Sequence, residues 1–145
     1  LFSSPSSNDK GNVAFVAELD NGESGVFVGL GEGKVKTIAS SVGTFDDFLS
    51  DPAINERGKV AFQAILDDGS EGIFTGSNPI TDKVIAVGDT LAGSTVTQLI
   101  FTGREAFNSK GQVVFTAFLS DGSEGIFRAD PSCGSIKPVV AHPLV

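Results

Sequence analysis

Carboxylates are the commonest reactive groups in this sequence: 18 Asp and Glu stand against ten Lys and Arg. Asp46, Asp47 and Asp51 crowd one short segment, and Asp89 follows later. Two carboxyl groups at a defined separation can hydrolyse a glycosidic bond, one as acid and one as base or nucleophile. Carboxylate oxygens also ligate calcium. The acidic stretches at 20–23, 67–71 and 120–124 supply too few ligands for a calcium loop and read first as solvated turns. Arg104 and Glu105 occur in one place only and could pair with each other. A Ser-His-Asp arrangement would have to use His142, the only histidine. Its place near the chain end suits a surface or interface residue better. Cys133 is the only cysteine, so no internal disulfide can form, and it reads as a loop thiol. Residues 29–34 (Gly-Leu-Gly-Glu-Gly-Lys) imitate a phosphate loop. They lack the Ser or Thr after Lys34, and a strand rather than a helix follows. Asp46, Asp47, Asp51 and Asp89 thus remain as candidate surface carboxylates, with no catalytic, cofactor or metal residue assigned.

The elements that must position these groups come from a repeat. Asn8, Gly11, Val13, Phe15, Ala17, Leu19, Gly22, Gly25 and Phe27 recur as Asn55, Gly58, Val60, Phe62, Ala64, Leu66, Gly69, Gly72 and Phe74. They recur again as Asn108, Gly111, Val113, Phe115, Ala117, Leu119, Gly122, Gly125 and Phe127. Each copy alternates apolar residues at period 2, the mark of a strand. Asp-Asn-Gly, Asp-Asp-Gly or Ser-Asp-Gly follows, a hairpin turn in which Gly supplies positive φ. The Gly-Val-Phe or Gly-Ile-Phe strand then returns beside the first. The Asn-x-x-Gly segments make a second turn per copy. Extended segments are predicted ahead of each Asn at 48–54, 100–107 and weakly 1–6. A fourth strand is predicted at 34–39, 83–87 and 136–141. The chain therefore reads as one all-β repeat domain, 1–145, of three four-stranded antiparallel units near 1–44, 45–96 and 97–145. Phe15, Phe27, Phe62, Phe74, Phe115 and Phe127 should form the core. Gly11, Gly58 and Gly111 should take positive φ. Four-stranded units of this length suit propeller blades, and a single-chain threefold β-prism is the alternative.

The motif resembles that of a bacterial tandem-repeat family named for its NxxGxxAFxAxLxxGxxGIF pattern, and it is also similar to TolB-type propeller blades. The resemblance covers all three copies and implies an exported or cell-surface protein. Two departures are visible: only three copies are present, and there is no anchor segment. A chain that begins at Leu1 and contains no Met reads as trimmed, so a leader or anchor would lie outside it.

Composition narrows the function classes. At net charge −8 the chain lacks the basic footprint of a nucleic-acid or anionic-membrane binder. No apolar run is long enough to span a bilayer. With 145 residues and 40% apolar content, a packed core is within reach and disorder is excluded. Two functions fit. One is a non-catalytic, exported β-repeat module that presents loops to a protein or glycan partner. The other is a carboxylate-based glycan hydrolase or lyase of propeller type. The absence of Trp and Tyr weighs against sugar stacking in either. No cofactor is called for, with calcium as the minor alternative. Three units leave unpaired outer faces, so a homodimer, or a place in a longer repeat chain, is expected. The homodimer would join the 1–15 segment of one chain to the 113–140 region of the other.

Overall fold

The computed structural model describes residues 3–142, with side chains to residue 140. No α-helix occurs among the described residues; 14 strands and one 3-10 turn do. The first sheet is β1 (Ser6–Ser7), β2 (Val13–Glu18), β3 (Ser24–Gly31) and β4 (Lys34–Ser40), in that order. In the second, β5 (Phe45–Phe48) and β6 (Ala53–Ile54) both pair with β7 (Val60–Leu66). Next come β8 (Glu71–Phe74) and β9 (Lys83–Ala86). The third is β10 (Thr90–Leu91), β11 (Ser94–Ile100), β12 (Val113–Leu119), β13 (Glu124–Asp130) and β14 (Ser135–His142). Every pairing is antiparallel and made between strands close in sequence, as short turns allow.

The all-β reading holds, and three limits change. The segment 48–54 is not one strand but two, because the chain leaves the ladder between β5 and β6. Pro52 there has no N–H to give, and the Ser50 hydroxyl accepts from Gln63 N instead (3.3 Å). The segment 100–107 is mostly not strand. β11 ends at Ile100, a 3-10 turn follows, and only Phe107 rejoins, bridging Val113. The expected division near residue 97 falls inside β11. Residues 90–100 form a hairpin that pairs with β12 and gives the third sheet five strands; the second has five because β5 and β6 are separate. That hairpin turns at Ala92 and Gly93, both at positive φ (51° and 79°), which matches the twist of its strands. Residues 1 and 2 of the expected 1–6 strand lie outside the described residues.

Alternation decides which face packs where. Cross-strand pairs set Phe15 beside Phe27, Phe62 beside Phe74 and Phe115 beside Phe127. The opposite face of the first sheet (Ala14, Val26, Val28, Ala39) buries itself on Phe45, Phe48, Phe62 and Phe74 of the second. The opposite face of the second (Ala61, Ile73, Ile85) buries itself on Phe115, Phe127 and Leu99 of the third. Phe45 stands edge-on to Phe62 and Phe74, with centroids 5.5 and 5.3 Å away, the arrangement that ring quadrupoles favour. Five of the six repeat phenylalanines are buried as expected. Phe15 is only half-buried, because it lies on the face of the first sheet turned away from the second.

The Asn turns lock these sheets together. Asn55 Oδ1 accepts from the N–H groups of Arg57 and Lys59 (both 3.0 Å), and Asn55 O accepts from Gly58 N (3.0 Å). Gly58 closes the turn at φ 76°, and Gly11 (80°) and Gly111 (79°) do the same in their copies. Asn8 and Asn108 repeat the pattern through Lys10, Asn12, Lys110 and Gln112. The amide nitrogen then reaches onward: Asn8 Nδ2 donates to Asn55 O and Asn55 Nδ2 to Asn108 O, each at 3.0 Å.

Two stability outcomes follow from this geometry. Phe62 has no exposed surface, so Phe62→Ala should lose about 3–5 kcal/mol in urea denaturation, and Phe15→Ala markedly less. Asn55→Asp keeps the turn acceptor but turns an oxygen toward the Asn108 carbonyl. It should cost about 1–3 kcal/mol by the same measurement, and Asn108→Asp, whose amide only meets Gln112, clearly less.

Candidate functional site

The third unit needs two more residues than the second between its first strand and its Asn turn. Leu99 holds the place opposite Ala117 that Phe48 holds opposite Ala64. The extra length is taken up by the 3-10 turn Arg104–Ala106. Gly103 (φ 73°) and Arg104 (φ 50°) both enter it left-handed, which is uncommon for a residue with a Cβ. Gly103 is forced: a Cβ there would run into the Asp51 carbonyl. Ala106 N closes the turn on Gly103 O (3.0 Å).

This turn walls a recess of about 450 Å³ to which all three units contribute. Residues 5–7 come from the first, 54–56 from the second, and 104, 105 and 107–109 from the third. Most of its polar groups already have partners. The Glu56 carboxylate accepts from Asp9 N (3.0 and 3.1 Å), and Ser6 Oγ accepts from Ile54 N (3.4 Å). Arg104 is exposed and makes no ion pair among the described residues. Arg104 and Glu105, which could have paired, form no ion pair with each other. A guanidinium without a carboxylate can take an anionic group bidentately.

The carboxylates picked out in the sequence do not meet in one place. Asp46 and Asp47 sit exposed on β5, and Asp47 Oδ1 accepts from Phe48 N (2.8 Å). Asp51 Oδ1 accepts from Ser4 N (3.1 Å) and so ties the first unit to the second. Asp89 lies past β9, with β7 and β8 between it and β5. There it pairs with Lys83 (3.1 Å) and accepts from Ala86 N (2.9 Å). Among the described residues, no three His, Cys, Asp or Glu side chains are placed to hold a metal ion. Residues 29–34 close the β3–β4 hairpin, with Glu32 and Gly33 at positive φ. Cys133 is a free, exposed thiol; the His142 side chain lies outside the described residues. No helix among the described residues is long and apolar enough to cross a membrane.

Comparison with known proteins gives no match: no family model, no curated protein and no solved structure resembles this chain closely enough. The recess and its Arg104 turn are therefore read on their own chemistry. Arg104 is legible in the sequence as unique to one copy, but the sequence carries no signal for the left-handed turn, which arises from the extra length between Leu99 and Asn108.

The hairpin carboxylates carry a pH signature. Hydrogen bonds from the Ser70 and Ser123 side chains and backbones hold Asp68 and Asp121 below their ordinary value of 3.8. Ser132 acts in the same way on Asp130. Lowered folded-state values mean that these bonds stabilise the fold above the unfolded value and are lost as pH falls through the folded ones. The melting temperature should therefore drop more steeply below about pH 4 in the wild type than in Asp68→Asn/Asp121→Asn. At pH 7 the two should nearly coincide, since Asn21 already fills this role in the first hairpin by accepting from Glu23 N (3.0 Å).

Proposed function

We propose that this chain is a non-catalytic β-repeat module, exported or displayed on a cell surface, whose blade-like sheets present loops to a protein or glycan partner. Self-association, or continuation into a longer repeat chain, belongs to the same reading. The observation that carries it is the recess where the three units meet, with Arg104 left unpaired at its wall. Rigid sheets holding loops at a shared site are the usual arrangement of binding scaffolds. The packing favours blades over a threefold prism. The first sheet lies on the second and the second on the third, and neither buried cluster joins the first to the third. The carboxylates favour binding over hydrolysis. Glycoside hydrolysis needs two of them facing each other about 5–10 Å apart. Asp51 is engaged by Ser4 N and Asp89 by Ala86 N and Lys83, and Asp46 and Asp47 are neighbours on one strand.

Immobilised polygalacturonate and immobilised poly-glutamate, two carboxylate-bearing polymers, test this. The wild-type chain should be retained on at least one of them, and Arg104→Ala should weaken retention about tenfold, the loss of a charge-assisted bidentate contact. No new reducing ends should appear in the polygalacturonate. Reducing ends released by the wild type and abolished by Asp47→Asn would replace the module with a hydrolase.

A further inference from the structure

The two signs of charge are segregated along the strands. Lys10, Arg57 and Lys110 hold the same place in the three Asn turns, and Lys59 follows the second. Lys34, Lys36, Lys83 and Lys137 lie in the first halves of β4, β9 and β14, the halves nearest those turns. Arg128 is the cross-strand neighbour of Lys137, and Arg104 precedes the third turn. All ten Lys and Arg thus stand on the Asn-turn side. The hairpin side carries acids in every unit, among them Asp20, Glu23, Asp67, Asp68, Asp121 and Glu124, and no Lys or Arg. Lys83–Asp89 is accordingly the one ion pair among the described residues, although carboxylates are in excess. A chain of net charge −8 therefore has one side on which cations outnumber carboxylates. Two recesses lie there, one at each joint between sheets. The first, of about 310 Å³, is lined by Lys36 and Thr37 of β4 and by Lys59, Thr75, Ser77 and Asp82 of the second unit. The second, of about 200 Å³, is lined by the same Lys59, Thr75 and Asp82 and by Lys110 and Ser132 of the third. The shared residues make them one groove across all three sheets, with Lys36, Lys59 and Lys110 along it. These lysines are exposed and have no ion pair among the described residues. Asp82, the one carboxylate of the lining, is already engaged, its Oδ2 accepting from Asn78 N (2.9 Å).

We infer that this groove binds a linear anionic polysaccharide, whose sulfate or carboxylate groups meet Lys36, Lys59 and Lys110 in turn. An ammonium on a flexible stem takes such oxygens as a point charge, without demanding one geometry. Cations gathered on one side, with no carboxylate paired to them, concentrate positive potential in the groove and draw a polyanion to it. The lining selects the class of polyanion. Single-stranded nucleic acids are held by aromatic side chains on which bases stack, and protein interfaces concentrate their affinity in Trp, Tyr and Arg. None of these three residues lines the groove, and its one aromatic residue, Phe107, is buried. An anionic glycan is held by charge and by hydroxyl groups such as those of Thr37, Thr75, Ser77 and Ser132, with no ring needed beneath the sugar. That suits a chain without Trp or Tyr. The inference names the glycan class for the proposed binding module and rests on that reading. It concerns a second site, since Arg104 lines neither part of the groove.

Calorimetric titration with dextran sulfate, polygalacturonate and neutral dextran tests it. The wild-type chain should bind at least one of the charged glycans, the tighter one identifying the anionic group, and should not bind neutral dextran. Its log affinity should fall linearly with log salt, by about 0.7–0.9 per cation engaged, the slope that counterion release gives on nucleic acids. The triple variant Lys36→Gln/Lys59→Gln/Lys110→Gln changes exposed residues only and should keep its melting curve. It should flatten the salt dependence and weaken binding about tenfold or more, as three charge-assisted contacts are lost. Arg104→Ala removes a charge outside the groove and should weaken binding less than the triple variant does. Failure to bind either charged glycan, equal binding of neutral dextran, or binding that survives the triple substitution overturns the inference. So does tighter binding of poly-glutamate or oligo-dT than of both charged glycans, which would give the groove to an acidic protein or a nucleic acid. Retention that depends on Arg104 and not on the three lysines leaves the Arg104 recess standing and removes the groove, and the reverse result does the opposite.

Discussion

Asn55 divides its polar atoms between two tasks. Its side-chain oxygen takes two backbone N–H groups of its own turn, and its side-chain nitrogen reaches the carbonyl of the next Asn. Asp or Ser could supply the first half, as they do in other turns. Neither could also donate forward with a fixed amide. With Asn8 in the same role, the residue fixes both the conformation inside a unit and the offset between units. Asn55 is 4% exposed, so its bonds form where an unmet amide would be costly.

Once the turns are pinned at that offset, the faces of the sheets have no freedom left. A strand shifted by one residue would send Phe62 and Ala64 to the side of Ala61 and Gln63. Gln63 shows how closely the second joint is fitted. It is a polar residue on the face buried against the third sheet, and all its groups are met there: Nε2 donates to Leu99 O and Glu71 Oε1, and Oε1 accepts from Phe101 N. These bonds hold the third unit's chain at the point where it leaves β11 for the Arg104 turn. The polar ladder and the apolar stacking therefore specify the same arrangement, the kind of agreement between levels that gives a sequence one structure.

The repeat made the strand faces, the hairpins and the three Asn-turn glycines legible, because each has a local cause that recurs. Gly25 and Gly72 have one too: a Cβ at Gly72 would meet Ile85 O (2.8 Å) and the Phe74 ring (3.1 Å), hence the invariant Gly two residues before Phe. Features that break the repeat were hidden. The β10–β11 hairpin turns through Ala92–Gly93, without the Asn-Gly or Asp-Gly signal that usually marks such a turn. The interruption at 49–52 is read as strand only from the apolar residues on either side of it, although Ser50, Asp51 and Pro52 are all turn formers. Phe15 shares its motif with Phe62 and Phe115, yet its burial depends on what lies beyond the first sheet. A motif cannot encode that. For the carboxylates, only proximity along the chain is legible in the sequence. Which backbone N–H each would accept depended on how the units stack.

The Arg104 turn is where the third sheet's chain departs from the spacing of the second. Lengthening the segment by two residues in one unit leaves the Asn ladder and the Phe faces untouched, since both are fixed on either side of it. The cost is confined to two left-handed residues. One is a glycine wedged against Asp51, and the other is an arginine brought to the wall of the shared recess. Backbone strain of about 1–3 kcal/mol at a non-glycine residue persists only where its surroundings hold it in place. Here they do, through Gly103 against the second unit and Phe107 bridged to Val113. The strained position and the unpaired charge coincide on a segment that the repeat leaves free to vary.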